Sequence, residues 1–286
     1  MTDLGPIQVI DAHHHLWDPA RAMYPWLTGD YAPIRRRFGP KDLEPGLAAA
    51  GVDRTILVQT RSSIEETREF LATAQATPFI AGVVGWVDLT DPGVAAAIAE
   101  LRAGPGGGHL VGIRHQVHDE PDPDWLLRPD VGRGLAAVAE AGLIYEFLIR
   151  PRELPAAWAV ARRMQEARFV IDHLAKPPIA SGELEPWRTL LAGFGPFEHV
   201  ATKLSGLVTE ANWSRWTVAD LQPYVDWALE SFGPQRLLYG SDWPVCLLAA
   251  SYEKVATTTR ALIGRLSEPE QAAIMGGSAR RLYDLG

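Results

Sequence analysis

The chain has 286 residues, 47% hydrophobic and 22% charged, a balance that excludes disorder and fibres and leaves ample material for a buried core. Its 35 carboxylates against 27 Lys and Arg give a net charge of −8. The one tight basic cluster, Arg35-Arg36-Arg37, is too short for a phosphate backbone, so no nucleic-acid partner is expected. The single Cys246 excludes an intrachain disulfide, no apolar run reaches the roughly 20 residues of a membrane helix, and the N-terminal stretch lacks a basic-then-apolar signal pattern. A cytoplasmic protein without membrane contact is expected.

Eight short β-branched or aromatic runs follow in chain order: residues 7–11, 55–59, 80–87, 110–115, 143–149, 169–173, 200–204 and 236–239. They read as near-continuous apolar segments, as strands buried on both faces do. Helix signals separate them. Ser63-Ile64-Glu65-Glu66 is a capping box ahead of a helix to about Ala76. Asp91-Pro92 places a cap and a first-turn proline before GVAAAIAELRA. Residues 135–141 and 154–167 are Ala-rich, with Gly142 as a stop. Strands recurring about every 33 residues predict one domain over 1–286, an α/β fold of the (β/α)₈ TIM barrel type. A doubly wound open sheet is the competing arrangement, but no strand is followed by a dinucleotide glycine fingerprint.

Residues 16–40 exceed an ordinary connection. Two Trp, two Tyr and Arg35–Arg37 argue against disorder, so a functional loop after strand one is expected, closing over a substrate at the barrel mouth. One of the three arginines is expected to reach a substrate oxygen.

His13-His14-His15 follow the first run directly. Residues two apart in a strand point the same way, so His13 and His15 share a face, on the Asp11 side if alternation holds, and His14 takes the structural side. His173 ends the sixth run, with Lys176 in the turn after it. Asp242 follows the eighth run, beside strand one if the barrel closes. Imidazoles and a carboxylate gathered at strand ends suit hydrolysis or metal ligation. Arg114 at the end of the fourth run is a candidate oxygen clamp, with His115 and His118 nearby. Trp26 and Trp213 are candidate aromatic platforms for a sugar ring. Glu146 is the one carboxylate on the middle strands and is expected to point into the barrel, in a supporting rather than a metal-bridging role. Cys246 is a bystander.

VIDAHHHLWD, IDHLAKPPI and YGSDWPVC resemble the amidohydrolase superfamily. More narrowly they resemble its L-fuconolactonase-like and pyrone-dicarboxylate lactonase branch. GWVDL, GIRHQVHDEPD, KLSGLVTEANW and GGSARRLY extend the likeness over nearly the whole chain. The resemblance implies a (β/α)₈ barrel and hydrolysis of a sugar-acid lactone, with His13, His15 and His173 polarising the carbonyl and Asp242 as the base that activates water. Arg114, Lys176, His115, Trp26 and Trp213 would bind substrate. His13, His15, His173 and Asp242 would hold at most one divalent metal such as Zn²⁺, and no obligatory metal is expected. A small-molecule sugar lactone and a homo-oligomer are the expected partners. The rivals are a metal-dependent decarboxylase or amide hydrolase of the same superfamily, and a sugar-acid binding barrel without catalysis.

Overall fold

In the computed structural model, which describes residues 8–286, eight strands run parallel in chain order. They are β1 (Ile10–His14), β2 (Arg54–Val58), β3 (Ile80–Gly85), β4 (Leu110–His115), β5 (Ile144–Phe147), β6 (Phe169–Ile171), β7 (Val200–Leu204) and β8 (Leu237–Tyr239). The segment after β8 returns to β1. The Asp242 N–H donates to the His13 carbonyl at 2.8 Å, and the His15 N–H donates to the Trp243 carbonyl at 2.6 Å. The result is the expected (β/α)₈ barrel.

The helices between strands are α1 (Pro40–Ala50), α2 (Ile64–Ala76), α3 (Val94–Ala103), α4 (Pro129–Glu140), α5 (Leu154–Arg163), α6 (Trp187–Ala192), α7 (Leu207–Glu210) and α8 (Val218–Phe232), and α9 (Tyr252–Ile263) follows β8. Ser63 caps α2, its Oγ accepting the Glu66 N–H at 3.2 Å. The expected capping box is not closed, because the Glu66 carboxylate turns to the Thr60 N–H (2.8 Å) and hydroxyl (2.5 Å) instead. Asp91 does not cap α3 directly. Its carboxylate accepts the Gly93 N–H at 2.6 Å, closing a turn just before the helix.

Strand pleating sorts side chains into two cores. Ile10, Ile56, Val84, Ile144, Val170, Ala201 and Leu238 fill the barrel, together with Tyr283 and Leu285 from the C-terminal tail. Their strand neighbours Leu57, Val83, Tyr145, Phe147, Phe169, Ile171 and Tyr239 pack against the helices. The tail covers the amino ends of the strands. Arg54 there donates to the Gly286 carbonyl at 2.8 Å, and Arg168 to the Leu282 carbonyl at 2.8 Å. Gly276 lies so close to this end that a Cβ would sit 1.9 Å from the Gln8 carbonyl oxygen. One inward step above the apolar layer stand Arg114, Glu146, Asp172 and Lys203, all 3% exposed or less. The barrel thus has an apolar lower half and a charged floor under its carboxyl-end mouth.

Several strand readings shift by one or two residues at their ends, and two of these bear on the site. β1 begins at Ile10, so the His-x-His pair starts inside the strand rather than after it, and Ile7 lies outside the described residues. β6 stops at Ile171, before His173.

Candidate active site

β1 does not keep its alternation. Its register against β2 shifts between Asp11 and His14. This bulge turns Asp11 outward, so the expectation that Asp11 shares the face of His13 and His15 is corrected. The Asp11 carboxylate accepts the Ser241 hydroxyl (2.6 Å), the Ser241 N–H (2.8 Å), the His13 N–H (3.0 Å) and the Tyr252 hydroxyl (2.9 Å). One buried carboxylate therefore ties the histidine strand to the segment that carries Asp242. His13 and His15 do converge inward, with Nε2 atoms 3.1 Å apart. His14 faces the other way, with Nε2 2.9 Å from the Thr55 hydroxyl.

After β6 the chain makes a left-handed turn. His173, Leu174, Ala175 and Lys176 have φ of 52°, 52°, 59° and 53°, a conformation that costs roughly 1–2 kcal/mol per residue with a Cβ. The Trp187 indole N–H holds the turn by donating to the Leu174 carbonyl at 2.6 Å. The turn delivers both His173 and Lys176 to the mouth. Strain held by surrounding contacts at such a place is typical of functional sites. Gly206, at φ +64°, packs on the ring of His173, where a Cβ would meet Nδ1 at 2.7 Å.

Asp242 also sits at positive φ, 56°. Its Oδ1 lies 3.4 Å from His15 Nε2, 3.7 Å from His13 Nε2 and 4.0 Å from His173 Nε2. Burial alone would raise its pKa, but His173, His15 and Lys176 outweigh burial and hold it below the ordinary carboxylate value. Burial pushes His173 down to about 4, with Asp242 and Asp172 pulling the other way. His13 is held well below 6.5 by burial and by Lys203. Near neutral pH the site therefore pairs an ionised carboxylate with uncharged imidazoles, the states a general base and hydrogen-bonding or ligating rings require.

The cleft over this cluster has a volume of about 210 Å³ and is lined by His15, Trp26, Tyr31, Arg114, His173, Lys176 and Asp242, with Thr60, Gln116, His118 and Arg150 also on its wall. It is smaller than the roughly 300–1,000 Å³ of drug-sized sites and suits a single small ring. Lys176 is paired with Glu210 at 3.0 Å at its edge. Arg114 lines the cleft with both terminal nitrogens engaged. One guanidinium nitrogen pairs with Asp172 at 2.9 Å and the other donates to the Gln59 carbonyl. His115 does not reach the cleft. Next to inward-facing Arg114 it points outward, between Glu120 (2.8 Å) and the Trp86 indole N–H (3.0 Å), stacked on Trp125. Trp213 stands behind Tyr31 at 6.0 Å, its N–H on the Thr209 carbonyl. Arg35, Arg36 and Arg37 are exposed and line none of this cleft, Arg36 lying over Phe38 and Arg37 beside Asp18.

Sequence reasoning missed the floor. Lys203 Nζ lies 2.6 Å from Glu146, 3.0 Å from Asp172 and 3.1 Å from His13 Nδ1. Tyr283 donates its hydroxyl to the other oxygen of Glu146. Burial pushes Glu146 up to about 7 against the pull of Lys203. Glu146 does point into the barrel, as a partner of Lys203. The missed signal is positional: in β4, β5 and β7 and directly after β6, Arg114, Glu146, Lys203 and Asp172 each stand two residues past a small or apolar inward residue.

His13 Nε2, His15 Nε2 and Asp242 Oδ1 are 3.1–3.7 Å apart, bracketing the about 3.3 Å between ligand atoms of a tetrahedral zinc site. The His15 Nδ1–H donates to the Val58 carbonyl at 2.8 Å, which turns the Nε2 lone pair toward the site as second-sphere contacts to metal ligands do. The donor set fits one divalent ion. His13, Asp172 and His173 form an overlapping cluster, but it shares His13, and Asp172 is already engaged by Arg114 and Lys203.

The family model described as Amidohydrolase matches residues 10–285. The chain belongs to the amidohydrolase family. A Burkholderia multivorans protein named L-fucono-1,5-lactonase is 40% identical to this amidohydrolase over 96% of each chain. A Burkholderia ambifaria protein of the same name is also 40% identical, over 96% of this chain and 94% of its own. Crystal structures of a Burkholderia multivorans amidohydrolase, one with bound HEPES and one with bound zinc, superpose at a TM-score of 0.92 with 38% identity, covering 98% of this chain and 100% of theirs. The fold is also that of 2,6-dihydroxybenzoate decarboxylase, at 13% identity and a TM-score of 0.64. Among the described residues no helix is long and apolar enough to cross a membrane.

Proposed function

We propose that this amidohydrolase opens the ring of a sugar-acid lactone of the L-fuconolactone or L-rhamnonolactone type by attack of an activated water. One observation carries the reading: an ionised Asp242 ringed by the imidazoles of His13, His15 and His173 at the mouth of a barrel 40% identical to L-fucono-1,5-lactonases. Asp242 takes a proton from water as it attacks the lactone carbonyl. His13 and His173, with the Lys176 ammonium, surround the oxygen that gains charge, while His15 presents an acceptor Nε2 beside them. As the tetrahedral species collapses, the carbon–ring-oxygen bond breaks and Asp242 returns its proton to the leaving oxygen. The aldonic acid then ionises and releases one proton to solvent. Trp26 and Tyr31 flank the ring, and burial by this wall limits water access to the one that reacts.

At most one divalent metal is bound per chain, through His13, His15 and Asp242, with His173 beside them. When bound, it supplies Lewis-acid charge at the carbonyl oxygen. We favour turnover without an obligatory metal, because a lactone is an activated ester and the imidazoles and Lys176 already meet its carbonyl. Cytoplasmic action fits the lone buried cysteine. The decarboxylase, amide-hydrolase and non-catalytic readings have no comparable support, since the decarboxylase likeness is one of fold alone. The test is a pH-indicator screen over 1,4- and 1,5-aldonolactones, with and without chelator. Proton release from an L-fuconolactone-type substrate that survives chelation is expected. A preparation inert toward every lactone would refute the lactonase, and activity abolished by chelation and restored by zinc would refute the metal-free reading.

A further inference from the structure

The hydrolysis uses the side of the mouth that carries Asp242, His15 and His173, and it leaves one wall of the cleft without a task. That wall is built after β4 and β5 from Gln116, His118, Asp119, Leu148 and Arg150. We propose that it recognises the ring hydroxyls lying across from the lactone carbonyl, with Arg150 and Gln116 as specificity-determining residues and Asp119 as an acceptor beside them, a role that rests on the lactonase reading for the identity of the ring.

Backbone contacts fix this wall before any substrate arrives. The His118 N–H donates to the Leu148 carbonyl at 3.1 Å, and Arg152 donates to the Glu120 carbonyl, so the turn after β4 and the segment after β5 hold each other. Glu153, the carboxylate nearest Arg150 in sequence, is already engaged: it accepts the Arg150 N–H at 2.8 Å and pairs with Arg152. The Arg150 guanidinium is left with no hydrogen bond or ion pair among the described residues. The other two basic side chains of the cleft are held, Arg114 by Asp172 and Lys176 by Glu210. Gln116 closes its turn with the backbone carbonyl, which accepts the Asp119 N–H at 3.0 Å, while its side-chain amide has no partner among the described residues. The Asp119 carboxylate meets the His118 ring, with Nε2 at 3.3 Å, and its side chain stays 56% exposed.

Donors and acceptors standing side by side match neighbouring hydroxyls, each of which gives one hydrogen bond and takes others. Gln116 offers both an amide N–H and a carbonyl, Arg150 a fork of N–H donors, and Asp119 a carboxylate. An anionic substituent would suit Arg150 but would meet Asp119 as a like charge, so the wall favours hydroxyls over a second carboxylate. Placement agrees. Strands four apart in an eight-stranded barrel stand on opposite sides, so a wall after β4 and β5 faces β8 and β1, which carry Asp242 and the paired histidines. The cleft has room for one ring, about 210 Å³, and a ring with its carbonyl at Asp242 turns its far, hydroxyl-bearing carbons to this wall. A ring with hydroxyls there replaces the water on Arg150, Gln116 and Asp119 bond for bond. A ring without them displaces the same water and leaves those groups unpaired, which is the source of discrimination.

Two stable lactams separate hydroxyl recognition from turnover: the 1,5-lactam of L-fuconic acid, which keeps the hydroxyls, and δ-valerolactam, the bare ring. Calorimetry on the wild-type protein is expected to show tighter binding of the hydroxylated lactam. Arg150→Met is expected to cut that preference by about 10–100-fold and Gln116→Leu by about 3–10-fold. Arg150 is exposed, so its replacement leaves the core untouched. A wild-type protein without the preference, an Arg150→Met variant that keeps it, or one that loses affinity for both lactams alike would overturn the inference. On L-fucono-1,5-lactone the same variant should raise KM more than it lowers kcat, and the reverse would place Arg150 in the chemical step instead. The expected lactam preferences in a protein inert toward lactones would refute the lactonase reading alone. A working lactonase whose preference survives Arg150→Met would refute the hydroxyl wall alone.

Discussion

At the scale of single residues, position along a strand decides what a side chain can do. Arg114 and His115 are neighbours, yet one enters the barrel and the other packs against Trp125 and Glu120. His115→Gln is therefore expected to lower the melting temperature and leave kcat/KM of the folded enzyme unchanged. A drop in kcat/KM of tenfold or more would place His115 in the reaction after all. His13, His15, His173 and Asp242 were legible because imidazoles and a carboxylate stood at the ends of apolar runs one, six and eight. Asp172 and Lys203 were not, because each stands as a lone charge inside a short run, FVIDH or VATKL, whose inward face shows only when it is split by pleat. Once Val170 and Ala201 are placed inward, the period of two puts Asp172 and Lys203 inward as well.

At the scale of elements, the eight strands and their order were legible from β-branched runs alternating with Ala-rich segments. The bulge in β1 and the left-handed turn after β6 were not. Both are held by distant partners, Ser241 and Tyr252 for Asp11, and Trp187 for Leu174, and no local propensity announces them. The loop over 16–40 shows why its length matters. Trp17 and Phe38 pair across its base, at 2.9 and 3.2 Å between backbone atoms. Beyond that base, Trp26 donates its indole N–H to the Thr60 carbonyl at 3.0 Å and, with Tyr31, forms part of the cleft wall. Replacing residues 24–31 by a short glycine-rich link should raise KM or lower kcat on the lactone, because the wall excludes water and contacts the ring. A lower melting temperature with unchanged kcat/KM would instead make the loop a plug.

At the scale of the whole molecule, the barrel buries more titratable groups than it neutralises. Burial depresses His14 to about 3, His173 to about 4 and His118 to about 2, and holds His13 well below its ordinary value. A histidine with a depressed folded pKa stays neutral in the native state and takes up a proton on unfolding below about pH 6.5. Stability is then lost as pH falls from about 6.5 toward 4. Glu146, raised to about 7, and Asp11, Glu66 and Asp119, also raised by burial, act in the opposite sense. Just below pH 6.5 the four histidines stand against Glu146 as the carboxylate placed in that range, and each net proton is worth about 1.4 kcal/mol per pH unit. The melting temperature should fall between pH 6.5 and 5, less steeply in His118→Gln. A flat or rising melting temperature over that window would mean the histidines are hydrated or charged in the native state.

The same burial gives the reaction its base, since the imidazoles of His13 and His173 that stay neutral leave Asp242 as the ionised member of that cluster. The most direct measurement is therefore kcat on L-fucono-1,5-lactone for the wild-type protein and for Asp242→Asn, with the fold of both confirmed by circular dichroism. Wild-type turnover with a variant slower by about 10²–10⁴-fold is the predicted result. A folded Asp242→Asn protein that opens the lactone at the wild-type rate would contradict the assignment of Asp242 as the base that activates water.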